Sequence, residues 1–148
     1  KGMLYEGGIR VPFIVNQPGM VPIQTLDNLI YFPDMMPTLA ALAKGTKHLP
    51  KQINGINILP LFYGKQVDTD NRLLYWEFPG KQRAARKGDW KCVTIHPNQP
   101  LELYNLKEDP EETNNLAKKY PRRVKEFDEE MQRMHIPTPN WPQPGEQF

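Results

Sequence analysis

The sequence predicts an α+β fold: a strand and a helix, then a four-stranded antiparallel sheet carrying a packed C-terminal helix. Three observations predict it. Four short β-type runs between residues 73 and 106 are separated by tight turns, too short for the crossovers that parallel neighbours need. Proline, 16 of 148 residues, is about twice its usual share, which favours loops and short elements over a helical bundle. Val124, Phe127, Met131 and Met134 recur at helical spacing among charged residues, an amphipathic stripe able to lie on a sheet.

In chain order, Ile9–Val15 is β-branched and aromatic, with Gly7-Gly8 just before it and Asn16-Gln17-Pro18-Gly19 after, which reads as a buried strand. Asp34 is placed to cap a helix, with Pro37 in its first turn and Gly45 as its stop. Met35, Leu39 and Leu42, flanked by Met36, Ala40 and Ala43, make that helix apolar over most of its surface, so it is expected to be buried. Residues 45–72 are broken repeatedly by proline and glycine and read as a long connection. The four strands follow at 73–78, 82–87, 90–96 and 101–106. Asp109-Pro110-Glu111-Glu112 has the pattern of a helix start, and Pro121 opens the amphipathic helix. Residues 137–148 hold four prolines and should be extended. The expected divisions are therefore 1–72, 73–136 and an extended tail, 137–148.

Composition excludes several classes of function. The formal charge of +2, with basic and acidic residues interleaved, is no nucleic-acid footprint. No apolar run is long enough to span a bilayer. Cys92 is the only cysteine, so no internal disulfide and no cysteine-rich metal site can form. His48, His96 and His135 lack metal-ligand spacing and are expected on the surface.

The first residues carry the densest chemistry. Lys1 and Arg10 flank a Glu6-Gly7-Gly8 turn that leads into the expected strand. Donors fixed on a rigid element are one way to build an anion site; a solvated lysine beside an ordinary turn is the other reading. Further on, Arg83, Arg86, Lys87 and Lys91 cluster in sequence near Trp76 and Trp90. These are either strand faces with solvated charges or a rim for an anionic sugar, with a tryptophan stacked on its ring.

Lys1-Gly2-x-x-Tyr5-Glu6-Gly7-Gly8-Ile9-Arg10-Val11-Pro12 resembles the lysine-bearing signature of the sulfatases, the calcium-dependent sulfuric ester hydrolases of the alkaline-phosphatase-like superfamily. The resemblance continues through Asp34-x-x-Pro37-Thr38-Leu39, Asn54-Gly55-Ile56-Asn57-Ile58-Leu59-Pro60-Leu61, Arg86-Lys87-Gly88-Asp89-Trp90-Lys91 and Leu103-Tyr104-Asn105-Leu106-x-x-Asp109-Pro110-x-Glu112-x-x-Asn115-Leu116-Ala117. It implies that 1–72 is the end of the catalytic sulfatase domain and 73–136 the C-terminal subdomain. It also implies that Lys1 is the catalytic lysine that contacts the sulfate ester oxygens. Glu6, Gly7, Gly8 and Arg10 are then structural members of the signature, with Glu6 and Arg10 pairing to hold the turn. Arg83, Arg86 and Trp76 become candidates for substrate binding.

Calcium and formylglycine belong to the parent enzyme in this reading, and no metal is expected on this chain. The formylglycine precursor is a Cys or Ser in a Cys/Ser-x-Pro/Ala-x-Arg segment. Cys92, followed by Val93-Thr94-Ile95, does not fit it and reads as a small core or edge residue. The implied partners are a sulfated carbohydrate or aryl sulfate and the missing N-terminal catalytic part, with no nucleic acid and no membrane. The chain alone is then expected to be inactive, and the parent secreted, periplasmic or lysosomal. Two alternatives stay open. A phosphonate or phosphate monoester hydrolase of the same superfamily would carry an unmodified Thr or Ser nucleophile upstream. A non-catalytic carbohydrate-binding accessory module would lack the nucleophile segment and metal carboxylates altogether.

Overall fold

The computed structural model describes residues 2–78, 82–96, 98–140, 142 and 146–147. By its contacts the chain forms two units, Lys1–Val11 with Arg72–Phe148, and Pro12–Asn71. The opening segment thus groups with the sheet and not with the residues that immediately follow it.

The sheet unit is a meander in the order β1-β2-β3-β4. Its strands are β1 (Leu73–Phe78), β2 (Gln82–Lys87), β3 (Trp90–Thr94) and β4 (Glu102–Asn105), all antiparallel, with Ala85 opposite both Tyr75 and Cys92. The β2–β3 turn passes through Gly88 at φ +56°, in the left-handed region where glycine carries no steric penalty. Side chains alternate between the two faces. On one face Ala85, Cys92 and Leu103 pack with Phe127 and Met131 of the C-terminal helix α4 (Pro121–Met134). On the other, Ala84, Val93, Tyr104 and Leu106 pack with Leu4, with Tyr5, Ile9 and Trp76 at the edge of that cluster. The sheet is therefore sandwiched between α4 and the segment that follows Lys1.

Three expected elements take other forms. Ile9–Val15 is not a strand. Glu6–Ile9 is instead one helical turn, α1, and residues 10–17 have no regular structure. A strand needs a neighbour for its backbone hydrogen bonds; among the described residues this stretch has none, and Val11 and Ile14 are 73% and 86% exposed. Asp109–Glu112 turns without starting a helix. The Asp109 carboxylate accepts the N–H groups of Thr113 and Asn114, and Glu112 lies at φ +56°, which ends any helical path. The third change concerns the helix after Asp34.

In the unit Pro12–Asn71, a single 3₁₀ turn (Phe32–Asp34) leads into α2 (Met35–Leu42), and a short helix α3 spans Leu59–Phe62. Asp34 is fully buried. It accepts the N–H groups of Tyr31 and Ile56, capping the 3₁₀ turn and tethering the Asn54–Leu59 loop; its side chain does not cap α2 itself. Thr38 Oγ1 adds a bond from the N–H of Ile58 at 3.0 Å. Gly55 fits there because a Cβ would lie 2.0 Å from the Pro33 carbonyl oxygen. The helix ends one residue earlier than expected. Lys44 takes the left-handed position (φ +57°), and the N–H groups of Lys44 and Gly45 close back on Ala41 and Ala40, the Schellman pattern. The side of α2 carrying Met36, Leu39 and Leu42 is exposed, not buried, because the loop packs on the side carrying Pro37 and Thr38.

Candidate functional site

The site is the segment just after Lys1 and the sheet face beneath it. Lys1 itself lies outside the described residues. The residues that follow are held by long-range polar contacts. The Gln82 side-chain amide receives the N–H of Leu4 at 3.2 Å and donates to the Gly2 carbonyl at 3.1 Å, fixing the backbone on both sides of Met3. Gly8 closes over the same stretch: a Cβ there would lie 2.0 Å from the Met3 carbonyl oxygen, so only glycine allows the approach. Gly7 meets no such constraint.

Glu6 opens α1 and is buried. Its carboxylate does not pair with Arg10, which is exposed and has no side-chain partner among the described residues. It meets Lys91 Nζ at 2.9 Å and the Arg86 guanidinium at 3.5 Å instead. Lys91 is fully buried, and its ammonium also lies 2.9 Å from Glu112 Oε1, an ion pair whose angle departs from that of a hydrogen bond. The other Glu112 oxygen accepts the Glu6 backbone N–H at 2.5 Å. Two carboxylates and two cations thus balance in one knot, with Lys91 and both carboxylates buried and Arg86 partly exposed at its edge. Glu112 enters it from a left-handed conformation that costs a non-glycine residue about 1–3 kcal/mol. Beside the knot, Tyr5 and Tyr104 both donate to Glu102 Oε2, at 2.5 and 2.9 Å. Burial, then the Glu102 carboxylate, pushes both phenols well above their ordinary range, so they remain donors.

The expected basic cluster is divided by strand alternation. Arg86 and Lys91 lie on the face covered by the Lys1-proximal segment and both serve Glu6. Arg83 is on the α4 face, 3.7 Å from Asp128. Trp76 packs at the edge of the Leu4 cluster. Arg83, Arg86 and Trp76 therefore do not share one surface. Trp90 stacks edge-on to Tyr120 and lies beneath Arg123, 4.4 Å from the ring centroid. Cys92 is a core residue, its thiol pushed up to about 12 by burial. His135 is not a surface residue: Nδ1 lies 2.5 Å from Glu77 and Nε2 2.7 Å from Glu146.

Among the described residues no three His, Cys, Asp or Glu side chains converge in a way that could hold a metal ion. Cys92, followed by Val93-Thr94-Ile95, lacks the sequence context of a formylglycine precursor. Neither group fits the described residues. No helix of the described residues is long and apolar enough to cross a membrane.

Sequence reasoning missed Lys91, Glu112 and Gln82 as members of the site. A signal existed for Lys91: at every second position it shares a strand face with the apolar Val93 and Ile95, so a side chain on that face points inward and needs a partner. Glu112 and Gln82 gave no comparable signal, since their partners lie 106 and 78 residues away.

Residues 1–136 match the family "N-sulphoglucosamine sulphohydrolase, C-terminal". Among curated proteins the chain is similar to a sulfatase of Formosa agariphila, 31% identical over 138 residues that cover 82% of this chain and 25% of that protein. It is also similar to arylsulfatase K of Gallus gallus, 30% identical over 143 residues, covering 86% and 26%. The chain thus spans about a quarter of the length of these relatives. Among solved structures it resembles a Bacteroides thetaiotaomicron protein described in connection with the metabolism of multiple glycosaminoglycans: TM-score 0.76, 28% identity, covering 90% of this chain and 30% of that one. A 2-O GAG sulfatase matches with TM-score 0.50 and 27% identity, over 68% of this chain and 24% of that one.

Proposed function

This chain belongs to the sulfatase family, as its C-terminal portion, and from that we propose that it completes the active site of a longer enzyme hydrolysing sulfate esters of a sulfated glycan. The family match over 1–136, which takes in the Lys1 signature, carries the reading. The glycan is supported by the Bacteroides relative in glycosaminoglycan metabolism and by the 2-O GAG sulfatase.

In this proposal Lys1 contributes its ammonium to the sulfate ester oxygens. Negative charge grows on the sulfuryl group and the leaving oxygen as the ester bond breaks, and a fixed cation there stabilises the transition state more than the ground state. The sheet holds the backbone that follows Lys1, at Gly2 and Leu4. Calcium and formylglycine would be held by the remainder of the enzyme and would supply the nucleophile and its charge compensation there. The test is product analysis with the full-length protein on a sulfated oligosaccharide, an aryl sulfate and a phosphate monoester. Release of inorganic sulfate, with kcat/KM for sulfate esters well above that for phosphate, is expected. Faster phosphate release, or no hydrolysis of any ester, overturns the proposal.

A further inference from the structure

The knot beneath the Lys1 segment is unusual for what it is made of. Lysine is among the residues least often fully buried, yet Lys91 is wholly enclosed. Taking such charges out of water is costly enough that apolar residues of the same volume usually hold a core as well or better. Stability is therefore a poor account of why Lys91, Arg86, Glu6 and Glu112 meet there. Geometry is a better one. Glu6 comes from the turn that follows Lys1, Arg86 from β2, Lys91 from β3 and Glu112 from the loop after β4. Contacts from three separate strands and loops converge on the turn and fix α1 in place. Gln82 fixes the adjoining backbone at Gly2 and Leu4, and the left-handed Glu112 backbone is retained although it is strained.

We propose that Lys91 is a positioning residue for Lys1: by bridging Glu6 and Glu112 it sets the place from which the lysine reaches the sulfate. Of the two cations, Lys91 alone touches both carboxylates. Without it Glu6 and Glu112 are left as buried like charges, with Arg86 reaching only Glu6, at 3.5 Å, and the turn is pushed off the sheet. This inference rests on the reading of Lys1 as the sulfate-contacting residue.

The experiment uses the full-length enzyme and four variants. Lys91→Met is expected to lower kcat on an aryl sulfate by about 10²-fold, the loss that a shift of about 1 Å in a catalytic group brings, with KM changed by less than a few-fold. Lys91→Met combined with Glu112→Gln, which removes the excess negative charge, should recover most of that kcat; it also serves as the working variant should Lys91→Met fail to fold. Met131→Ala, on the α4 face of the same sheet, should lower the melting temperature and leave kcat unchanged. Hydrogen exchange read on peptides covering 2–10 should rise in Lys91→Met and not in Met131→Ala. The proposal is overturned by unchanged exchange in 2–10, by a kcat loss no greater than that of Met131→Ala, or by a double variant that folds without recovering activity. Lys1→Ala, run alongside, tests the underlying reading: unchanged turnover there removes the role of Lys1, while the exchange data still report whether Lys91 holds the segment.

Discussion

Lys91 and Cys92 are neighbours on β3 and show how differently single residues can be read. Cys92 was expected as a small core or edge residue, and it is a core residue, packed under α4. The thiol, pushed up to about 12, should not react with a disulfide reagent at about pH 8 in the native protein, where almost none of it is thiolate. It should react within seconds after denaturation. Rapid labelling of native Cys92 would contradict the packing described for the α4 face. Lys91 was one of a basic cluster read either as solvated strand charges or as a rim for an anionic sugar, and on neither reading was it buried, since lysines almost never are. What sets it apart is a pair of carboxylates 85 and 21 residues away in sequence, at Glu6 and Glu112, and no local pattern announces them. Glu6 was expected to pair with Arg10, but the nearest arginine in sequence is not the one it meets.

At the scale of elements, the four strands and α4 were legible to within two residues at their ends, because each carries its own signal. The strands have period-two alternation and tight turns, and the helix has Pro121 and an apolar stripe. Elements fixed by distant partners were not legible. Ile9–Val15 has a strand composition but no strand beside it, and the Asp109 turn has a capping pattern cut short by Glu112. The end of α4 makes a pH-dependent contact of its own. Burial draws the His135 pKa down, but hydrogen bonds to Glu77 and Glu146 outweigh it and the net shift is upward from 6.5. A folded-state pKa above the unfolded one means protons bind more tightly to the native protein. The stabilisation is therefore complete below about pH 6.5 and fades as pH rises through the raised value. Melting temperature followed from about pH 5.5 to 8.5 should fall more in the parent than in His135→Gln. Parallel curves would mean that the two carboxylates do not hold a charged imidazole.

For the whole molecule, the α+β class and the family were both readable, since the motifs recur in order along most of the chain. The quality of the surface was not. In the unit Pro12–Asn71, Phe13, Ile14, Met20, Ile23, Phe32, Met36, Leu39 and Leu42 are all exposed, and large apolar side chains gathered on a surface favour association. We expect the chain by itself to self-associate, to bind a hydrophobic dye and to hydrolyse no aryl sulfate above a buffer blank. Monomeric behaviour without dye binding, or measurable hydrolysis, would contradict its place as one portion of a longer enzyme.

In the proposed function Lys1 contacts the sulfate, and the sheet holds the segment that follows it. The most direct measurement is turnover and melting temperature of Lys1→Ala side by side in the full-length enzyme. Removing a charged donor aimed at developing negative charge should lower kcat by about 10²–10³-fold, with Lys1→Arg unable to restore it because a planar fork does not replace a compact ammonium, while the melting temperature stays close to that of the parent. Activity within a few-fold of the parent, or a large melting loss accompanying the lost activity, would contradict the claim.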